Sequence, residues 1–257
     1  MYYLYILGIL LIVLTYFINK FSFTNSKPTC ENYVANTYLY LAFSFLFLAF
    51  CINILNNICV YNTKNYTKNY TKKLLCSPFS TFISSISSFI VFIFIFFTRK
   101  NFSKTGHVFN HILWISFLFL FSVSFRYIFA FEKIYDIIYV IFLTFIIFLF
   151  MSIVVYINPS FFERTYKFAI VGLFVALLVI IISEIILLFY KNTLARKYIT
   201  YAAIIVFSLL ISYDTIELFN LAKKCVDYPN YPKSALDFFI TIINLFTSLL
   251  GSKSGRF

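Results

Sequence analysis

Long apolar runs alternate along the chain with short polar breaks, and each run is about as long as a bilayer is thick. A spanning helix needs about 20 apolar residues, with a range of roughly 17–25. Runs of that kind cover 2–18, 38–60, 79–97, 108–131, 134–157, 168–190, 198–220 and 236–250. All are too long and too continuous for strands, and none alternates as a barrel strand does. The pattern predicts an all-α fold, a polytopic transmembrane bundle of seven to eight helices. Short connections predict that sequential helices are antiparallel neighbours in one compact bundle.

Two runs are weaker than the rest. Residues 1–19 form an extra N-terminal hydrophobic helix or signal-anchor; a basic n-region and an A-x-A cleavage site are both missing, which favours a retained helix. The run 236–250 is short and carries Asp237 near its start, so it reads as a half-span or re-entrant segment, with GSKSGRF after it as a polar tail.

Composition agrees with the pattern. Hydrophobic residues make up 62% and charged residues 12% of the chain, against about 25% charged in soluble domains. Too little polar surface exists to cover a water-facing globule, and the lipid bilayer is the expected partner. The net charge of +12 does not imply nucleic acid. Its basic residues sit in loops such as Lys64–Lys73, Arg99–Lys104 and Arg196–Lys197, where they act as flanking anchors. They divide almost evenly between alternate loops, so they do not set the orientation. The loop YNTKNYTKNYTKK is low-complexity and offers N-x-T sequons at Asn65 and Asn69; Asn101 begins another. The five cysteines show no C-x-x-C or zinc spacing, and their odd number argues against a full disulfide framework. Cys51 and Cys59 read as small packing residues.

Charges inside spans are the informative minority, because each is costly unless paired or wetted. Arg126, Glu184, Asp214, Glu217 and Asp237 stand out. Asp214 and Glu217 are three apart and share a helical face. A turn containing Pro229 and Pro232 can bring Asp237 back against that helix. Two carboxyls in a low-dielectric site cannot both ionise cheaply, so one keeps its proton and the two share a hydrogen bond. Such a pair is a proton sensor; ionised, it is an oxygen site for a hard cation. Arg126 is the obvious counter-ion. The competing reading sends Arg126, Glu184 and Glu217 to helix ends, where they reach the interface. His107 and His111, at i and i+4, could hold zinc as a membrane hydrolase would. No third histidine exists, and interfacial polar residues are the better account. Nothing in the sequence argues for an enzyme, a resident cofactor or a metal.

At Asp214 the chain resembles a known family. Ile211-Ser-Tyr-Asp-Thr215 is similar to the Tyr/Phe-Asp-Thr signature of the Bax inhibitor-1 (transmembrane Bax inhibitor motif) family. The loop NLAKKCVDYPNYPKS and the helix ALDFFITIINLFTSLL that follow resemble the family's closing segment, with Asn244-Leu245-Phe246 as its ending. Lys20–Ser22, Asn36–Ala42, and Glu163–Tyr166 followed by Gly172 are weaker echoes. The resemblance makes residues 20–257 a Bax inhibitor-1-like transmembrane domain. It implies a pH-sensitive calcium or cation leak channel of the endoplasmic reticulum or another internal membrane, with an anti-apoptotic or stress-modulating role. Calcium would be a permeant or regulatory ion. The alternative is a non-conducting protein that binds other membrane proteins such as cell-death regulators. Many family members carry a second aspartate one turn after the position of Asp237; this chain has Thr241 there. The expected closed state holds Asp214 to Asp237 or Thr241, with Arg126 balancing charge, and opens on deprotonation or helix displacement. Family topology would place residues 19–37 in the cytosol.

Overall fold

The computed structural model describes residues 2–25, 27–64, 77–98, 107–190, 192–225 and 229–254. The sequons at Asn65, Asn69 and Asn101 lie outside the described residues. Eight helices are long and apolar enough to cross a membrane among those described. They are α1 (Tyr2–Ser22), α2 (Tyr33–Lys64), α3 (Pro78–Phe97), α4 (His107–Phe131), α5 (Ile134–Ile157), α6 (Pro159–Phe189), α7 (Thr193–Lys224) and α8 (Tyr231–Ser254). A two-residue hairpin, β1 (Phe23–Thr24) with β2 (Lys27–Pro28), joins α1 to α2. Asn25, at φ 50°, supplies its left-handed turn residue.

Local chemistry explains where the helices begin. Ser77 caps α3, its hydroxyl accepting from the Ser80 amide at 3.1 Å, and Pro78 occupies the first turn, where no amide is needed. Asn192 receives the Ala195 amide at 3.0 Å at the start of α7. Asn230 receives that of Lys233 at 3.1 Å, which starts α8 five residues earlier than its apolar run. The last helix is therefore a continuous element of 24 residues, in place of the expected half-span. Its C-terminal end takes in Gly251, where a polar tail was expected. Lys253 stays at the helix end by pairing with Asp136 at 3.3 Å and lying over the Tyr139 ring.

Inside the spans, hydroxyls bond back to the carbonyl one turn earlier, as Thr37, Ser44, Ser122, Thr144 and Thr215 do. A bilayer offers these groups no water, so the helix itself must satisfy them. Large apolar side chains such as Phe168, Phe189 and Ile134 are exposed. On a membrane protein these are the positions that meet lipid.

The described chain divides into two compact units. The first comprises residues 1–131 and 224–236, the second residues 132–223 and 237–257. The division after α4 falls at the charged turn residues Glu132 and Lys133, and α8 contributes to both units. In the first unit α1 packs on α2, and α4 packs on both α2 and α3.

A disulfide between Cys30 and Cys225 crosses the first unit, with Cα atoms 5.8 Å apart and 195 residues between them in sequence. Cys59 is also disulfide-bonded, and Cys51 is a buried free thiol. The packing role expected of Cys51 agrees with its burial; that of Cys59 is corrected. Spacing alone missed the long-range bond because the folded connections, not local sequence, bring residues 30 and 225 together. A persistent disulfide is the chemistry of an oxidising compartment, which speaks against a cytosolic Cys30.

Candidate functional site: a hydrogen-bonded acidic cluster

The first unit buries several polar groups. Asn36 is fully buried, and its amide donates to the carbonyls of Phe21 and Glu31 at 3.0 and 2.9 Å and to the Tyr231 hydroxyl at 3.2 Å. The Tyr231 hydroxyl donates in turn to the Thr29 carbonyl. Tyr33 shares a hydrogen bond of 2.9 Å with Ser234. Around Tyr40 lie the Tyr231 and Trp114 rings, and its hydroxyl meets His111 Nε2 at 2.8 Å. His111 is therefore part of an aromatic and hydrogen-bonded cluster; the side chain of His107 lies outside the described residues. Among the described residues no group of three or more His, Cys, Asp or Glu could hold a metal ion.

Two buried cations also lie here, Lys233 and Arg126, the first of them not singled out from sequence. Lys233 is buried, and its ammonium donates to the carbonyls of Phe96 and Thr98 at 2.6 and 2.7 Å. A cation in the first turn of α8 opposes that helix's dipole, and the negative C-terminal end of α3 compensates it. Arg126 is buried as well, and its guanidinium donates to Cys59 Sγ.

The acidic residues gather in the second unit. Thr241, one turn after Asp237 on α8, donates its hydroxyl to Asp214 Oδ2 at 2.8 Å. The same hydroxyl is 3.2 Å from the Asp237 carbonyl, so its single proton favours the nearer carboxylate. Asp214 is half-buried between fully buried neighbours on α7, while Thr241 is 9% exposed. Thr215, next in the signature, shares a 3.4 Å contact with Ser152 on α5. Asp237 is also half-buried.

Glu217, one turn after Asp214, does not simply reach the interface. Its Oε2 accepts from the Tyr166 hydroxyl at 2.9 Å. Thr165 and Tyr213 meet at 3.2 Å, and Glu163 pairs with Lys223 at 2.8 Å. Tyr166 also lies within electrostatic reach of Asp214 and Asp237. Glu184, by contrast, is exposed on α6 near Arg196 and takes no part in the cluster. The structure thus joins Asp214 with Thr241, puts Glu217 and Asp237 in the same unit, and adds Tyr166. In the sequence Tyr166 stands only within the Glu163–Tyr166 echo of the family, which gives no sign of its partner Glu217.

Eight long apolar helices among the described residues, with a small acidic cluster between three of them, define a polytopic helical membrane protein. The family model described as inhibitor of apoptosis-promoting Bax1 matches residues 30–252, most of the chain. The chain belongs to the Bax inhibitor-1 family. The match begins after α1. No curated protein matches the chain in sequence.

Proposed function

We propose that this protein is a calcium or cation leak channel of an intracellular membrane, the endoplasmic reticulum being the first candidate, and that it moderates cell death or stress signalling. One observation carries the reading: a half-buried carboxylate within an apolar helix, Asp214, held by a hydroxyl of the neighbouring α8. A carboxylate there is costly unless it serves a polar path, and its oxygen chemistry suits a hard cation. The Thr241–Asp214 hydrogen bond is the closed latch, and separation of α7 from α8 opens the polar path beside it.

Threonine alters the sign of proton control. Two aspartates need a proton between them and repel when both ionise. A hydroxyl instead donates best to the ionised form. Protonation of Asp214 therefore weakens this latch, and acidification is the opening signal at this pair. Calcium efflux from liposomes holding the purified protein tests the reading. Asp214→Asn, which leaves a weaker neutral acceptor, raises resting efflux severalfold. Unchanged efflux in Asp214→Asn removes the basis of the proposal.

A second reading has its own observation. Thr241 cannot ionise, and Asp214 and Glu217 both accept hydrogen bonds as packing residues do. On that reading the protein is non-conducting and acts by binding other membrane proteins that govern cell death. Full cell protection by a variant with Asp214 and Asp237 neutralised, with no efflux from wild-type liposomes, selects it.

A further inference from the structure

We propose that Tyr166 is a positioning residue for the Asp214 site, and that its hydrogen bond to Glu217 is a second latch, tying α7 to α6. This rests on the conduction reading above. Within the second unit α7 is held from two helices. Thr241 of α8 donates to Asp214, and Tyr166 of α6 donates to Glu217 one turn along the same face. A displacement of α7 that frees Asp214 must also stretch or break the Tyr166 contact.

At the far end of α7 the Arg196 guanidinium donates to the Leu187 carbonyl at 3.2 Å, beside the turn that already joins the two helices. The two other described polar ties on the Asp214 side are weaker. Glu163 and Lys223 are 40% and 65% exposed, and exposed pairs contribute little. Thr165 and Tyr213 are neutral partners at 3.2 Å. The Tyr166–Glu217 bond joins a phenol to a carboxylate at 2.9 Å, with both residues half-buried. Hydrogen bonds to charged groups are about twice as strong as neutral ones. Of these α6–α7 polar ties, it has the largest effect on the position of α7. Because Glu217 and Asp214 are three apart on one rigid helix, a change at one is transmitted to the other by the helix itself.

The test uses the full chain in liposomes. Tyr166→Phe removes the hydroxyl and keeps the ring. It raises resting calcium efflux about fivefold or more, the order expected for losing a charge-assisted hydrogen bond. Glu217→Leu does the same, and the double variant leaks no faster than either single one. A second measurement reads the position of α7 without ions. Ser212 is fully buried on α7, so Ser212→Cys in a Cys51→Ala background reacts slowly with a charged maleimide. Adding Tyr166→Phe accelerates the labelling. Labelling that accelerates although wild type and Asp214→Asn both pass no calcium keeps the latch and defeats the conduction reading. Unchanged labelling and efflux in Tyr166→Phe overturn the latch, as do independent, multiplying effects of Tyr166→Phe and Glu217→Leu.

Discussion

The two units of this protein bury polar groups by different rules. In the first, Asn36, Tyr33, Tyr231 and Lys233 meet backbone carbonyls or neutral hydroxyls, and a disulfide closes the connection between Cys30 and Cys225. Most of these side chains are almost completely buried, and several bond more than one partner. In the second, Asp214 and Glu217 are half-buried carboxylates held by hydroxyl donors on neighbouring helices. A buried amide with three partners resists change. A carboxylate held by a hydroxyl keeps the strong, charge-assisted form of that contact only while it is ionised. The first arrangement suits a fixed frame and the second an element that moves.

The comparison can be broken at either end. The largest effect is expected from Cys30→Ser, which opens a very long covalent loop. It lowers stability by about 2–5 kcal/mol, read as earlier thermal unfolding in detergent. Asn36→Ala comes next. It leaves the Phe21 and Glu31 carbonyls without their donor in a buried site, at a cost of about 1–3 kcal/mol, with little change in resting efflux. A large change in efflux from Asn36→Ala would erase the distinction between frame and moving part. Thr241→Val, which preserves shape and deletes the donor to Asp214, changes stability by about 1 kcal/mol but raises efflux severalfold, and Thr241→Ser restores the wild-type rate. The smallest effect belongs to Glu163→Gln. Its exposed pair with Lys223 contributes well under about 1 kcal/mol, so neither unfolding nor efflux shifts measurably.

Much of the fold could be read from sequence, because a span must be apolar for its whole length. The α3, α4 and α5 runs match their helices to within one residue. The starts of α2, α6, α7 and α8 were read too late. There polar or aromatic first turns carry the chain into the helix, and a cap such as Asn230, rather than hydropathy, marks the entry. Asp214 and Thr241 could be found from the signature and from the position one turn after Asp237. Tyr166 could not be singled out, since a tyrosine among twenty others in an aromatic-rich chain carries no local sign of its partner. Lys233 was missed because its compensation is a carbonyl pair on α3, more than a hundred residues away. The disulfide was missed for the same reason of distance.

The most direct measurement is the pH dependence of calcium efflux for wild type beside Thr241→Asp, in liposomes of one composition. A threonine latch predicts that wild-type efflux rises on acidification. Thr241→Asp rebuilds a carboxyl pair, so its efflux should rise instead on alkalinisation, reversing the slope. Equal slopes for the two proteins, or no efflux from either at any pH, would contradict the claim that Thr241 holds Asp214 closed.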